Sequence, residues 1–110
     1  MNNELKARYE ARARVIKAMA HPTRLFIVDE LARKGERCVC ELTEMVGVDM
    51  STISRHLSIL KNAGVVEDEK RGQQVFYRPR VQCISTFFEC IKGVIECDTR
   101  RRRGVSAAGT

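Results

Sequence analysis

The sequence has 110 residues, of which 44% are hydrophobic, so it can form one compact domain but has no room for a second independent core. Its formal net charge of +6 favours a polyanionic partner, most often nucleic acid. No apolar run approaches the roughly 20 residues of a membrane span, and the first residues do not resemble a secretory signal, so we expect a cytoplasmic protein with no membrane contact. Its five cysteines are therefore expected to be reduced thiols rather than a disulfide framework.

The first half of the chain predicts four helices, over about residues 4–20, 22–34, 39–46 and 50–62. The first of them rests on apolar residues at helical spacing, from Leu5 to Met19. Pro22 suits the first turn of the second helix, because a first-turn residue needs no N–H donor. Asp49 is a good N-cap, and it predicts where the fourth helix begins.

The second half predicts a hairpin followed by a last helix. The two strands fit residues 65–69 and 74–78, around a tip at 70–73 whose glycine is typical of a hairpin. An apolar stripe then predicts a helix over 81–97. The basic residues 99–110 are expected to form a frayed, flexible tail.

Together these elements predict an α+β fold that is mainly α, a winged helix-turn-helix with the order α-α-α-α-β-β-α in residues 1–98. The first and last helices, over about residues 4–20 and 81–97, carry more apolar surface than the elements between them can cover. We therefore expect a homodimer that joins through these two helices.

The third and fourth predicted helices have the pattern of a DNA reader. Two short helices joined by a glycine-containing turn, the second polar on its outer face, are typical of a helix-turn-helix. The second helix then lies in the major groove, where Arg55 can bind guanine through two hydrogen bonds. The predicted DNA contacts are Ser51, Thr52, Ser54, Arg55, His56, Ser58 and Lys61 on this helix, and Lys70 and Arg71 at the hairpin tip. For His56 a packing role is the alternative, and for His21 a helix-capping or packing role is favoured over metal binding.

Four segments of the chain resemble the ArsR/SmtB family of bacterial metal- and metalloid-sensing repressors. They are AHPTRL at residues 20–25, CVCEL at 38–42, STISRHL at 51–57 and GQQVFYR at 72–78. The resemblance covers about residues 10–97 and implies a homodimer that represses an operon from inverted-repeat operator DNA and leaves it when an inducer binds. The sequence contains no phosphate-binding loop, nucleophile elbow or paired-carboxylate pattern, so we do not expect an enzyme.

Cys38 and Cys40 are the predicted inducer site, because paired thiolates select soft ions such as trivalent arsenic or antimony. The family's arsenite sensors resemble this segment but carry a further cysteine where this chain has Thr43. The missing thiolate could come from the last helix, as Cys83, Cys90 or Cys97. Alternatively the inducer needs only two thiolates, as a methylated trivalent arsenical would. No cofactor is expected for DNA binding itself.

The three cysteines of the last helix are spaced seven residues apart and form one line along it. Neighbours in that line stand about 10.5 Å apart, too far for two of them on one helix to share an ion. We therefore favour a role as small hydrophobic residues at the dimer seam. The family's zinc sensors often place Asp and His ligands on this helix, whereas here it offers only Glu89 and Glu96 as carboxylates and no histidine, which argues against zinc.

The predicted function is a repressor of a metalloid-resistance operon that trivalent arsenic releases from DNA. Two other interpretations stay open: a thiol-based redox repressor, and a winged-helix interaction module that binds no DNA. For the arsenic reading we expect the inducer to distort the first turn of the third helix, since side chains two apart on a helix point to opposite sides. That distortion would shift Leu42 and Val46, on which Ile53 and Leu57 of the DNA-reading helix are expected to pack. The helix dipole should favour thiolate at both cysteines.

Overall fold

A computed structural model describes residues 1–103 of the chain. Within them the helices are α1 (Asn3–Met19), α2 (Pro22–Lys34), α3 (Val39–Val46), α4 (Met50–Asn62) and α5 (Ile84–Arg102), and the strands are β1 (Arg37–Cys38), β2 (Val66–Arg71) and β3 (Gln74–Pro79). This order confirms the predicted winged helix-turn-helix and adds one strand, β1, to it. None of the helices in the described range combines the length and the apolar composition that crossing a membrane requires.

Side-chain caps determine where several helices begin. The Asn2 side chain accepts the N–H of Leu5 at the start of α1, at 2.8 Å. At the start of α2 the Nδ1 atom of His21 accepts the N–H of Thr23, at 3.1 Å, so His21 is a helix cap, as favoured from the sequence. Each cap satisfies a backbone donor that the first turn leaves free.

The core lies between α2, α3, α4 and the hairpin. Its fully buried side chains are Ile27, Val28, Leu31, Leu42, Ile53, Leu57, Leu60 and Val66. Burying one such side chain contributes about 1.5–3 kcal/mol, so the inner face of α4 is strongly held. Val46 packs against the same cluster, which confirms that Leu42 and Val46 of α3 support Ile53 and Leu57 of α4.

The three strands form one antiparallel sheet in the order β1-β3-β2. In β1, Arg37 lies opposite Tyr77 and Cys38 lies opposite Phe76. A two-residue strand is too short to show an alternating pattern, which is why the sequence did not predict it. Its consequence is structural: β1 connects the residue before α3 directly to the hairpin.

The hairpin strands are longer than predicted. Arg71 pairs with Gln74, so Lys70 and Arg71 belong to β2 rather than to the tip. The tip consists of Gly72 and Gln73 alone, and Gly72 has a φ of 64°, which a two-residue turn of this kind requires at its first position.

Helix α5 also differs from the prediction, because it runs from Ile84 to Arg102 instead of over 81–97. Residues 99–102, predicted as frayed tail, are helical. Arg102 forms an ion pair with Asp98 one turn earlier, at 3.1 Å, and the arginines of the last turn complement the negative end of the helix dipole. Residues 104–110, the rest of the predicted tail, lie outside the described range.

Candidate DNA-binding surface and thiol site

Helices α3 and α4 form the helix-turn-helix, and Gly47, with a left-handed φ of 82°, ends α3 and turns the chain toward α4. The side of α4 opposite the core is polar and exposed. Its exposed residues include Ser51, Ser54, Arg55, Ser58 and Lys61. The structure therefore places five of the seven residues predicted on this helix on one open face.

The first turn of α4 is closed by Asp49. Its carboxylate accepts hydrogen bonds from the hydroxyls of Ser51 and Thr52, the latter at 2.6 Å, and from the backbone N–H of Thr52 at 3.2 Å. These hydrogen bonds lower the pKa of Asp49 to about 2. Because both hydroxyl protons point at Asp49, the two oxygens remain available to DNA only as acceptors.

His56 is half-buried and turned toward α2, away from the open face. Its Nδ1 atom accepts a hydrogen bond from Nε of Arg24 at 3.1 Å, and its ring centroid lies 4.7 Å from that of His21. Burial, followed by the charges of His21, Arg24 and Arg55, lowers the pKa of His56. Of the two roles left open by the sequence, this geometry corresponds to packing and not to a base contact.

The arginines of the hairpin form ion pairs with carboxylates. Arg71 donates from Nη1 to Oε1 of Glu36 at 2.6 Å and from Nη2 to Oε1 of Glu69 at 2.9 Å, and it lies over the ring of Phe76. These contacts raise the pKa of Arg71 above its usual range. Lys70 is exposed and makes no ion pair within residues 1–103. The sequence did not reveal the ion pair between Arg71 and Glu36 because the two residues are 35 positions apart in the chain.

The end of α4 is joined to the hairpin in the same way. The Nζ atom of Lys61 lies 3.0 Å from a carboxylate oxygen of Asp68 in β2. Lys61 and Arg71 must therefore exchange a protein carboxylate for a phosphate if they are to contact DNA, whereas Lys70 need not.

Cys38 is the N-cap of α3, a role usually taken by Ser, Thr, Asp or Asn. Its Sγ atom accepts the N–H of Glu41 at 3.4 Å, while its own N–H donates to Oε1 of Glu41 at 2.9 Å. The two residues thus form a reciprocal capping box. Cys38 is only 4% exposed, whereas Cys40, the second residue of the helix, is exposed.

The environment of Cys38 corrects the expectation that the helix terminus makes both thiols acidic. Burial raises the pKa of the Cys38 thiol, and a hydrogen bond with the Cys40 thiol raises it further. The N–H of Glu41 acts in the opposite direction but is the smaller effect. Removing a thiolate from water costs more than one amide donor at the helix end returns.

The geometry removes one reason for expecting the inducer to unwind or re-cap the first turn of α3, although the distortion itself stays a prediction. Cys38 lies ahead of the helix in extended conformation, with φ −82° and ψ 161°, so helical spacing does not separate it from Cys40. The two thiols are close enough for Cys40 to raise the pKa of Cys38. They line a depression of about 230 Å³ together with Met50 and Ser54 of α4 and residues 73–75 of the hairpin. A ligand there would touch both parts of the molecule that were predicted to contact DNA.

Within the described residues of one chain, no third ligand joins this pair. Residues 1–103 contain no group of three or more His, Cys, Asp or Glu side chains that could hold a metal ion. The Thr43 hydroxyl, at the position where a third cysteine was considered, donates to the Val39 carbonyl at 2.8 Å. In the single chain Cys83, Cys90 and Cys97 are all exposed.

Helices α1 and α5 present uncovered apolar side chains. They include Leu5, Tyr9, Val15 and Ile16 on α1, and Ile91, Val94 and Ile95 on α5. No residue of α5 is fully buried, although Ile84, Phe87 and Phe88 pack against the core. These surfaces are the ones from which a homodimer was predicted.

Comparison with known proteins agrees with this architecture. A family model described as bacterial regulatory protein, arsR family, matches residues 21–68. The arsenic resistance transcriptional regulator ArsR1 of Pseudomonas putida is 38% identical over 84 residues, which are 76% of this chain and 66% of that protein. A cadmium resistance regulatory protein CadC homolog of Staphylococcus aureus is 33% identical over 88% of this chain and 74% of its own length.

Among solved structures, a homodimeric winged helix-turn-helix DNA-binding domain from Mycobacterium bovis, a possible ArsR-family regulator, superposes with a TM-score of 0.78. It is 31% identical, and the match covers 92% of this chain and 93% of that one. The family consists of transcriptional regulators and not of enzymes. On the combined basis of fold, motif order and these relatives, the chain belongs to the arsR family of bacterial regulatory proteins.

Proposed function

We propose that this protein is a homodimeric, cytoplasmic repressor that binds operator DNA through α4 and the hairpin, and that a trivalent arsenical releases it by bonding to Cys38 and Cys40. The observation that carries the proposal is the position of this thiol pair. Cys38 caps α3, the helix that supports α4. Both thiols line a depression bounded by α4 and by the hairpin.

The proposed DNA readers are the exposed polar residues of α4. Ser54, Arg55 and Ser58 face away from the core, and Arg55 is suited to a guanine in the major groove. Ser51 and Thr52 would accept hydrogen bonds from base amino groups while holding Asp49. Lys70 would contact a phosphate, which adds affinity without sequence preference.

The proposed dimer pairs the apolar surfaces of α1 and α5. Exposed side chains such as Tyr9, Ile16, Val94 and Ile95 are costly to leave in water. The homodimeric state of the Mycobacterium bovis relative supports the same arrangement. Two-fold symmetry would place two copies of α4 on two half-sites, which explains how a short helix gains specificity.

The chemistry of the site favours an arsenical over a hard divalent ion. Two thiols can displace two hydroxides from a trivalent arsenical, forming two As–S bonds and releasing two waters. An arsenical that carries one organic group needs only these two bonds, which agrees with the absence of a third donor in residues 1–103. Relatives described as arsenic and cadmium resistance regulators support a soft ligand of this kind.

Release would follow from loss of the Cys38 cap. An arsenic atom on Sγ re-aims the sulfur that accepts the Glu41 N–H, and such caps are typically worth about 0.5–2 kcal/mol. The first turn of α3 then shifts Leu42, which shares the core with Ile53 and Leu57 of α4. In parallel, the pairing of Cys38 with Phe76 transmits the change to the hairpin.

The proposal is tested by fluorescence anisotropy on a labelled duplex selected from a random-sequence pool by the wild-type protein. Methylarsenite, arsenite, antimonite, cadmium chloride and hydrogen peroxide are titrated into the complex. We expect trivalent arsenicals to release the DNA, and Cys38→Ser and Cys40→Ser to bind the duplex yet resist release. Cys97→Ser, on the far helix, is the matched control and should respond like the wild type.

The remaining outcomes separate the alternatives. Release by peroxide but not by arsenicals would replace this proposal with the redox repressor. Failure to enrich any duplex would favour the interaction module. If both Cys38→Ser and Cys40→Ser still release DNA with arsenicals, the sensing thiols are those of α5.

A further inference from the structure

The two histidines of the chain meet at one place, beside the DNA-reading helix, and one arginine connects them to α1. Arg24, the third residue of α2, donates from Nη1 to the Ala18 carbonyl at 3.0 Å and from Nε to Nδ1 of His56 at 3.1 Å. The Ala18 carbonyl belongs to the last turn of α1, where helix carbonyls lack a partner within the helix. One guanidinium therefore joins the end of α1 to the middle of α4.

This bridge has a strict requirement on the proton of His56. Arg24 has only donors, so Nδ1 of His56 must be an acceptor, which it is only in the neutral ring. Protonation would put an N–H on Nδ1, opposite the N–H of Arg24, and would add a second positive charge next to the first. The hydrogen bond would then be replaced by repulsion.

Among the described residues, no negative charge is found to act on His56 and compensate a positive charge there. The charged groups that act on it are His21 from the cap of α2, Arg24 from α2 and Arg55 from α4, and no carboxylate is among them. On the α1 side, Arg14 and Lys17 line a groove together with Arg24. The pKa of His56 is accordingly lowered, chiefly by burial.

We propose that Arg24 is a positioning residue for DNA binding, which holds α4 against the end of α1 through neutral His56 and releases it when His56 is protonated. This inference rests on the proposed function, since it assumes that α4 reads DNA and that α1 belongs to the dimer interface. His56 is next to Arg55, so a shift of α4 at this point moves the predicted base reader. In a two-fold dimer the same shift changes the spacing between the two copies of α4.

The sign of the expected pH effect distinguishes this device from ordinary electrostatics. Adding positive charge to a DNA-binding surface normally strengthens binding to phosphate. Here acidification from pH 7.5 to 5.5 should weaken binding to the selected duplex, and full protonation of His56 should weaken it by about tenfold, the factor that losing one hydrogen bond to a charged group typically gives. Because burial lowers the pKa of His56 in the folded protein, the bridge is intact above the ordinary pKa of 6.5 and is lost as the pH falls through that lowered pKa.

Three variants test the proposal by anisotropy at both pH values, with circular dichroism as the fold control. His56→Asn keeps an acceptor oxygen near the position of Nδ1 but cannot be protonated, so it should bind equally well at both pH values. Arg24→Leu should bind weakly at pH 7.5, to the level of the acidified wild type, with no further loss on acidification. His21→Asn keeps the cap of α2 but removes the second histidine, and it should retain the wild-type pH dependence.

Parallel loss of binding in the wild type and in His56→Asn would overturn the proposal, as would a wild type whose binding does not weaken in acid. If the wild type enriches no duplex at all, DNA binding itself fails, and the positioning role fails with it. Enrichment of a duplex whose binding is indifferent to Arg24→Leu would instead reject the positioning role and leave the proposed function standing.

Discussion

Helix α4, the proposed DNA reader, and the hairpin are both polar and exposed, yet they hold their charges differently. On α4, Arg55 and the hydroxyls of Ser54 and Ser58 make no hydrogen bond or ion pair with other side chains in residues 1–103. On the hairpin, Arg71 is held by two glutamates and Arg78 by three. The middle of α4 keeps Ser54, Arg55 and Ser58 available, whereas the arginines of the hairpin are engaged with protein carboxylates.

This difference assigns different tasks to the two surfaces. A side chain that reads a base edge must be free to form new hydrogen bonds without first breaking old ones. Because the arginines of the hairpin are paired with glutamates, the hairpin should attract phosphate only modestly. Cys38 belongs to β1, which pairs with β3 of the hairpin. The hairpin is therefore better placed to respond to a change at the thiol site than to determine which DNA sequence is bound.

The largest effect on DNA affinity is expected from Arg55→Ala. Loss of a bidentate contact to guanine should weaken binding to the selected duplex by about 1–3 kcal/mol and relax the preference at one base pair. The fold should not change, because Arg55 is exposed. Competition with single-base variants of the duplex measures both effects. Undiminished affinity would show that the exposed face of α4 is not the reader.

A smaller effect, of a different kind, is expected from the hairpin. Lys70→Ala should weaken binding to all sequences alike and lower the slope of log affinity against log salt by about 1. Arg71→Ala should change that slope less, because Arg71 is engaged with Glu36 and Glu69. Salt titrations of both variants compare them directly. Equal slopes for the two would mean that DNA displaces the glutamates completely.

The same contrast shows what the sequence could predict. The bounds of α3 and α4 were predicted correctly because local signals set them: Asp49 caps one helix and Gly47 ends the other. The ion pairs of the hairpin were not predictable, since Glu36 and Arg71 become neighbours only after β1 joins the sheet. A strand of two residues leaves no periodic signal of its own.

The thiol site itself stays a prediction, but the structure changes the local detail that the sequence suggested for it. The spacing of Cys38 and Cys40 indicated a soft-ligand site, but it suggested two side chains on one helix. The structure places Cys38 before the helix, where burial by the core raises the pKa of its thiol. Burial depends on residues distant in sequence, and for that reason the acid–base character of Cys38 could not be inferred from its neighbours.

The smallest effect, and the sharpest test of the contrast, is expected from Glu36→Gln. This change removes one of the two carboxylates that hold Arg71, so Arg71 gains freedom to reach a phosphate. Exposed ion pairs are individually weak, so affinity should rise by only about two- to fivefold at low salt. The salt slope should become steeper, since one more cation then contacts the phosphate backbone.

The matched control is Glu67→Gln, which removes the same charge from the same surface. Glu67 binds Arg78, so its loss leaves the contacts of Arg71 unchanged. A general reduction of negative charge near DNA would strengthen binding equally in both variants. Specific release of Arg71 would strengthen DNA binding more in Glu36→Gln than in Glu67→Gln, and would do so only while Arg71 is present.

Adding Arg71→Ala to Glu36→Gln should therefore return the affinity to that of Arg71→Ala alone. If the double variant still binds DNA more tightly than Arg71→Ala alone, Glu36 acts through its charge, and its ion pair with Arg71 does not limit DNA binding.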